Sequence, residues 1–142
     1  MKYTNRIIFI LLIIIILIVG YNFYTRYSII KKINDAKDLI VIETPKPYQK
    51  VQNPIYIKGK AKGNFFFEAT FPVRIEDENG NIVKNSYIMT KENWMSEDFV
   101  SFETKLYIDE LKIKRGFIIF EKANPSGLKE NKFEIKIPVY FE

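Results

Sequence analysis

Three sets of residues in this chain have the right types to do chemistry. Glu68, together with Glu97 or Asp98, offers two carboxylates that could divide acid and base roles in cleaving a glycosidic bond. Asp77-Glu78-Asn79-Gly80-Asn81 opens like an oxygen-donor loop for calcium. Phe66, Trp94 and Tyr140 are aromatic side chains that could present an apolar contact surface to a partner. What is missing narrows the field further. The chain has no histidine and no cysteine, so it holds no Ser-His-Asp or Cys-His nucleophile, no thiolate zinc site and no disulfide.

Each set also has a structural reading. A calcium loop of the EF-hand type needs glycine at its sixth position and a bidentate glutamate at its twelfth. Here Gly80 is fourth and Ile88 stands at the twelfth, so the segment reads as a hairpin turn. The sixteen acidic residues of positions 38–142 are matched by sixteen basic ones, and mutual neutralisation accounts for the carboxylates without catalysis. Trp94, the only tryptophan, suits either burial between two sheets or exposure as a binding platform. The six glycines are scattered, with no phosphate-cradling loop. No catalytic, cofactor-binding or metal-binding residue is therefore expected, and the chain is read as a non-enzyme. Its candidate partner surface is Phe66, Trp94 and Tyr140.

The net charge of +5 points to nucleic acid only until it is located. Lys2, Arg6, Arg26, Lys31, Lys32 and Lys37 face only Asp35 in residues 1–37, and the rest of the chain is neutral. No nucleic-acid partner is expected. The basic side chains bracket Ile7 to Val19, IIFILLIIIILIV, which favours bilayer insertion by roughly 4–8 kcal/mol. Thirteen helical residues reach only about 20 Å, but the stretch continues through Tyr24, and Tyr21, Tyr24 and Tyr27 suit an interfacial belt. A lipid bilayer contacting Ile7 to Tyr24 is thus the first partner. With no small-residue cleavage site after Gly20, the segment reads as an uncleaved signal anchor, the alternative being a cleaved signal. Two Lys/Arg residues precede it and four follow, a count that favours a cytoplasmic C-terminal side.

The rest of the chain must position the candidate residues, and its signal is alternation. Residues 28–38 place Ile29, Ile30, Ile33 and Ala36 at helical spacing, as a juxtamembrane linker or a continuation of the membrane helix. Beyond them, Phe133, Ile135, Ile137, Val139 and Phe141 share one face. Phe65, Phe67, Ala69, Phe71, Val73 and Ile75 form a second inward set against Phe66, Glu68, Thr70 and Arg74, with Pro72 marking an edge strand or bulge. Val100, Phe102, Leu106 and Ile108 form a third. Shorter runs lie at Leu39–Ile42, Ile55–Ile57, Ile82–Met89 and Phe117–Phe120, the last apolar on both faces and so central. Asn79-Gly80-Asn81 and Asn124-Pro125-Ser126-Gly127 supply turns. About seven short strands with no long helix among them predict an all-β, immunoglobulin-like antiparallel β-sandwich over residues 39–142. It follows a transmembrane segment over 1–27 and a linker over 28–38.

The order of short motifs resembles a known family. Asn53-Pro54-Ile55, Gly59-Lys60-Ala61, Phe66-Phe67-Glu68-Ala69-Thr70-Phe71-Pro72-Val73 and Asp77-Glu78-Asn79-Gly80-Asn81 come first. Trp94-Met95, Glu97-Asp98-Phe99, Glu121-Lys122-Ala123-Asn124-Pro125-Ser126-Gly127 and Ile137-Pro138-Val139 follow. Together they make residues 39–142 similar to the immunoglobulin-like domain of bacterial spore germination proteins, often found beside GerM-type modules. The resemblance implies an extracytoplasmic, non-catalytic module tethered to a bacterial membrane or envelope; for a neutral sandwich without histidine or cysteine, whose sheet edges and end loops can bind other chains, the expected partner is an envelope protein or a cell-wall polymer. It carries no established ligand residues. The alternatives are a wall glycosidase using Glu68 and a second carboxylate, and an anchored scaffold facing the cytoplasm.

Overall fold

A computed structural model of the protein describes residues 2–108 and 113–142. Within it the chain divides into two compact units, one up to Lys32 and one from Ile33 to Glu142. Helix α1, Lys2–Asp35, is long and apolar enough to cross a membrane, and none of its most apolar window is buried by protein. Two polar side chains just beyond its apolar run bond within the helix: the Asn22 amide donates to the Ile18 carbonyl at 2.8 Å and the Thr25 hydroxyl to that of Asn22 at 2.9 Å. Such internal pairing suits a helix surrounded by lipid. α1 also takes in most of the segment between the apolar run and the first strand, which is therefore helical as far as Asp35.

The second unit is a sandwich of two sheets. Its strands are β1 Ile40–Thr44, β2 Gln49–Val51, β3 Ile55–Lys62, β4 Thr70–Asp77, β5 Ile82–Met89, β6 Phe99–Leu106, β7 Arg115–Glu121 and β8 Glu134–Phe141. One sheet has the order β1-β3-β6 and the other β2-β8-β7-β4-β5. All pairs are antiparallel except β2 with β8, a three-residue parallel contact too short and too polar to be read from sequence. Alternation on β3 puts Ile55, Ile57, Gly59 and Ala61 inside. On β8, Ile135, Ile137, Val139 and Phe141 are buried. These face Phe71, Val73 and Ile75 of β4, Val100, Phe102 and Leu106 of β6, and Ile118 and Phe120 of β7. The all-β sandwich behind an N-terminal apolar helix is thus the observed architecture.

Three expectations need correction. Phe65–Ile75 is not one strand. Gly63–Phe65 is a 3-10 turn, and Phe67-Glu68-Ala69-Thr70 closes a two-residue hairpin, so β4 begins only at Thr70. The faces expected for Phe66 and Phe67 are consequently exchanged: Phe66 is buried and Phe67 is 44% exposed. Pro72 does not mark an edge strand, because β4 lies between β5 and β7. Pairing with β7 starts only at Val73, so Pro72 occupies a stretch bonded on one side, where its missing N–H costs no ladder bond. Phe133, expected in the core face, precedes β8 and is half-buried, with its ring edge-on to Phe65 at 6.2 Å.

Candidate functional site

Phe67, Ile82, Tyr87 and Met89 are exposed on or beside the β4–β5 hairpin, while Tyr56, Met95, Tyr107 and Leu128 are exposed elsewhere on the sandwich. Phe67 N–H donates to the Thr70 carbonyl at 2.8 Å, and Thr70 N–H returns a bond to Phe67 at 3.0 Å. Between them Glu68 and Ala69 both have positive φ, 50° and 61°, the handedness of a primed two-residue turn but without its usual Asn or Gly. Directly opposed residues share a face, so Phe67 with Thr70, Thr70 with Met89, and Pro72 with Tyr87 all lie on the outer face of the five-stranded sheet. Tyr87 and Met89 are 69% and 65% exposed there, and Ile82 continues the apolar line along β5.

One edge of β5 also pairs with no strand among the described residues. Thr90 N–H bonds the Ala69 carbonyl at 2.9 Å, which fixes the hydrogen-bonded register of the hairpin. Bonded pairs then recur at Phe71/Ile88, Val73/Ser86 and Ile75/Lys84. Pro72, which has no N–H, falls on a non-bonded pair with Tyr87, as this register requires. The N–H and C=O groups of Asn85, Tyr87 and Met89 therefore point away from β4, toward a side where β5 pairs with no strand among the described residues. Val83 is an extra residue between the pairs Ile75/Lys84 and Glu76/Ile82, a bulge that ends the regular edge.

The residues singled out from sequence do not come together. Phe66 is 4% exposed, with its ring edge-on to Phe71 at 5.1 Å, and contributes to the core rather than to a surface. Trp94 is half-buried against that core, in the loop between β5 and β6. Its carbonyl and that of Ser96 approach Gly63 so closely that a Cβ there would collide with both. Tyr140 is half-buried on β8, between Lys50 of β2 and Arg115 of β7. Glu68 stands exposed at the hairpin tip, and Glu97 and Asp98 are exposed in the loop that carries Trp94. Asp77 caps the turn at Gly80, accepting bonds from the main chains of Asn79 and Asn81 and from the Asn81 amide. The Asn81 bonds, first among these contacts, hold the Asp77 carboxyl below its ordinary pKa.

A second feature of the same outer face is a charged groove of about 880 Å³ beside the β4–β5 hairpin, lined in part by Arg74, Glu76, Glu121 and Glu134. Arg74 pairs with Glu76 at 2.6 Å, with Glu134 at 2.8 Å and with Glu121, while Lys136 reaches Glu76 at 3.2 Å. Burial acts to raise the pKa of Glu76, but its bonds to Arg74 and Lys136 outweigh burial and leave it below its ordinary value. Glu76 is thus held ionised, the opposite of what a general acid needs. Beneath the network Ile119 is fully buried on the outer face, flanked in the ladder by Arg74 and Lys136. Among the described residues no cluster of three metal-ligating side chains occurs.

The immunoglobulin-like domain of bacterial spore germination matches residues 39–127, β1 through the turn at Gly127. The chain belongs to this family. No curated protein and no solved structure matches it. The motifs that carried the resemblance lie at structural positions: Asn53 brackets Ile108, its amide donating to the Ile108 carbonyl at 2.8 Å and accepting from its N–H at 3.0 Å. Gly127 closes its turn on Asn124 at 3.1 Å with φ of 67°. The surface formed by Phe67, Tyr87 and Met89 was not singled out in the sequence. Its one signal was that β5 is apolar at both parities, Ile88 on one and Tyr87 and Met89 on the other, with Lys84 its sole charge.

Proposed function

We propose that this family member is a membrane-tethered, extracytoplasmic, non-catalytic binding module of a bacterial envelope, whose partner is an envelope protein or a cell-wall polymer. The observation that carries the reading is the edge of β5, where exposed Phe67, Tyr87 and Met89 flank main-chain groups that pair with no strand among the described residues. Large side chains are kept out of water unless contact with a partner offsets their exposure, and sheet edges recruit other chains through main-chain bonds. Trp94 and Tyr140 keep partial exposure and remain candidates for a secondary contact; Phe66 does not.

Two further observations support the absence of catalysis. The chain lacks histidine and cysteine, and the groove carboxylates are neutralised by Arg74 and Lys136. The tether is α1, through Ile7 to Tyr24. The outward orientation rests on the family, whereas the Lys/Arg count around α1, two before and four after, favours a scaffold facing the cytoplasm. Protease added to intact spheroplasts holding the full chain separates the two. Digestion of the sandwich from outside is expected, and complete protection until lysis would assign it to the cytoplasm. For binding, Tyr87→Ala should weaken retention of the full chain on purified envelope fractions by about 2 kcal/mol with little change in stability. Turnover of a wall glycan that Glu68→Gln abolishes would replace the binding module with an enzyme.

A further inference from the structure

We propose that the partner of the β5 edge is a second copy of this chain, joined edge to edge with β5 antiparallel to β5 about a two-fold axis through Tyr87. The inference rests on the reading of this edge as a binding surface and names its occupant. The outward-pointing main-chain groups belong to Asn85, Tyr87 and Met89. In an antiparallel pair, outward residues of one strand bond outward residues of the other. A two-fold arrangement that uses all three has one solution: Tyr87 opposite Tyr87 of the second copy, and Asn85 opposite Met89 on either side. The bulge at Val83 ends the regular edge just beyond this run, and Thr90 leaves it at the other end, its hydroxyl bonded to the Ser101 carbonyl at 2.8 Å.

Charge permits the pairing. Lys84 is the only charged residue of β5. In this register it stands opposite Thr90 of the second copy, so the two Lys84 side chains are six residues apart along the strands. That separation is about 20 Å, beyond the screening length of about 8 Å at physiological salt. A natural edge strand is normally protected by several charges or a proline, whereas the eight residues of β5 carry one lysine, no proline and strand-forming Ile82, Val83, Tyr87 and Ile88. Outer-face Tyr87 then packs against Tyr87 of the second copy, with Met89 beside the opposing Asn85, while the two five-stranded sheets become continuous. A single edge contact is smaller than the ~1,200 Å² of a stable interface, so pairing in dilute solution would be weak. Confinement by α1 to one membrane supplies the effective concentration that makes it persist.

The chain has no cysteine, so single cysteines report contacts without background. The full chain in phosphatidylethanolamine–phosphatidylglycerol vesicles, mildly oxidised, should cross-link as a dimer when it carries Tyr87→Cys. Differently tagged Asn85→Cys and Met89→Cys chains should cross-link when mixed, and several-fold less when alone. Lys60→Cys, on the outer face of the other sheet, should stay monomeric. Asn85→Pro removes an N–H that faces away from β4, so it should leave the circular dichroism unchanged while reducing Tyr87→Cys dimers several-fold. Dimers no more abundant with Tyr87→Cys than with Lys60→Cys would overturn the proposal, as would Asn85→Cys cross-linking alone as well as when mixed. If self-pairing fails but a photo-reactive residue at 87 captures another envelope component that Asn85→Pro releases, the second copy is excluded and the binding surface stands. If neither occurs, both readings fall.

Discussion

β7 and β5 belong to one sheet and both carry apolar residues on both faces, yet their outer residues do different things. On β7, Ile119 is flanked by Arg74 on one neighbour and Lys136 on the other and is fully buried. On β5, Tyr87 and Met89 have a paired strand on one side only among the described residues and remain mostly exposed. The same pattern in sequence therefore stabilises the fold at the centre of a sheet and leaves a surface available for contact at its edge. Position in the sheet order, more than residue type, decides which.

The sharpest way to break this comparison is to truncate inward-facing rings. Phe120→Ala on β7 and Phe71→Ala on β4 should each cost about 3–5 kcal/mol in denaturant unfolding of the full chain in detergent. Both rings are fully buried, and Phe71 meets Phe65, Phe66 and Phe102 edge-on at 5.0–5.1 Å. The comparison itself is tested by outer-face truncations. Ile119→Ala should cost about 2–4 kcal/mol and Tyr87→Ala about 0.5 kcal/mol or less, although both lie on the same face of the same sheet. Equal costs would mean that the edge is covered as well as the centre.

Most of the fold was legible because β3 and β6 alternate strictly between buried and solvated positions, and β8 does so apart from its buried Pro138. The run Phe117–Phe120 could be placed centrally because its residues were apolar at both parities. Phe65–Thr70 misled for a physical reason. Its apolar spacing fits a strand, but a primed turn sits at Glu68-Ala69, where neither residue announces positive φ. That hidden turn exchanged Phe66 for Phe67. The candidate surface was illegible on the same account, since only strand order distinguishes an outer-face tyrosine at an edge from one in the middle of a sheet. β2 escaped notice because three residues paired in parallel leave no period to read.

The turn yields a smaller effect of opposite sign. Ala69→Gly should raise stability by about 1 kcal/mol, because glycine accepts φ near 61° without the steric cost that alanine bears. A fall in the unfolding midpoint would mean that the turn is not left-handed. The smallest expected effect is that of pH. Glu76 and Asp77 have folded pKa values below their ordinary ones, so the unfolded chain binds more protons in the acid range. Their contribution is complete above the unfolded carboxylate range, near pH ~4, and is lost as pH falls through the depressed folded values. A Glu76→Gln chain should therefore lose less stability on acidification than the parent.

The most direct test of the whole account compares two adjacent residues in living cells. The chain has no native cysteine, so Phe66→Cys and Phe67→Cys can each be probed with a membrane-impermeant maleimide on intact bacteria. An outward-facing sandwich with Phe67 on its surface and Phe66 in its core predicts rapid labelling of Phe67→Cys and labelling of Phe66→Cys only after denaturation. Labelling of Phe67→Cys only after lysis would contradict the extracytoplasmic placement, and equal labelling of the two in intact cells would contradict the hairpin that separates core from surface.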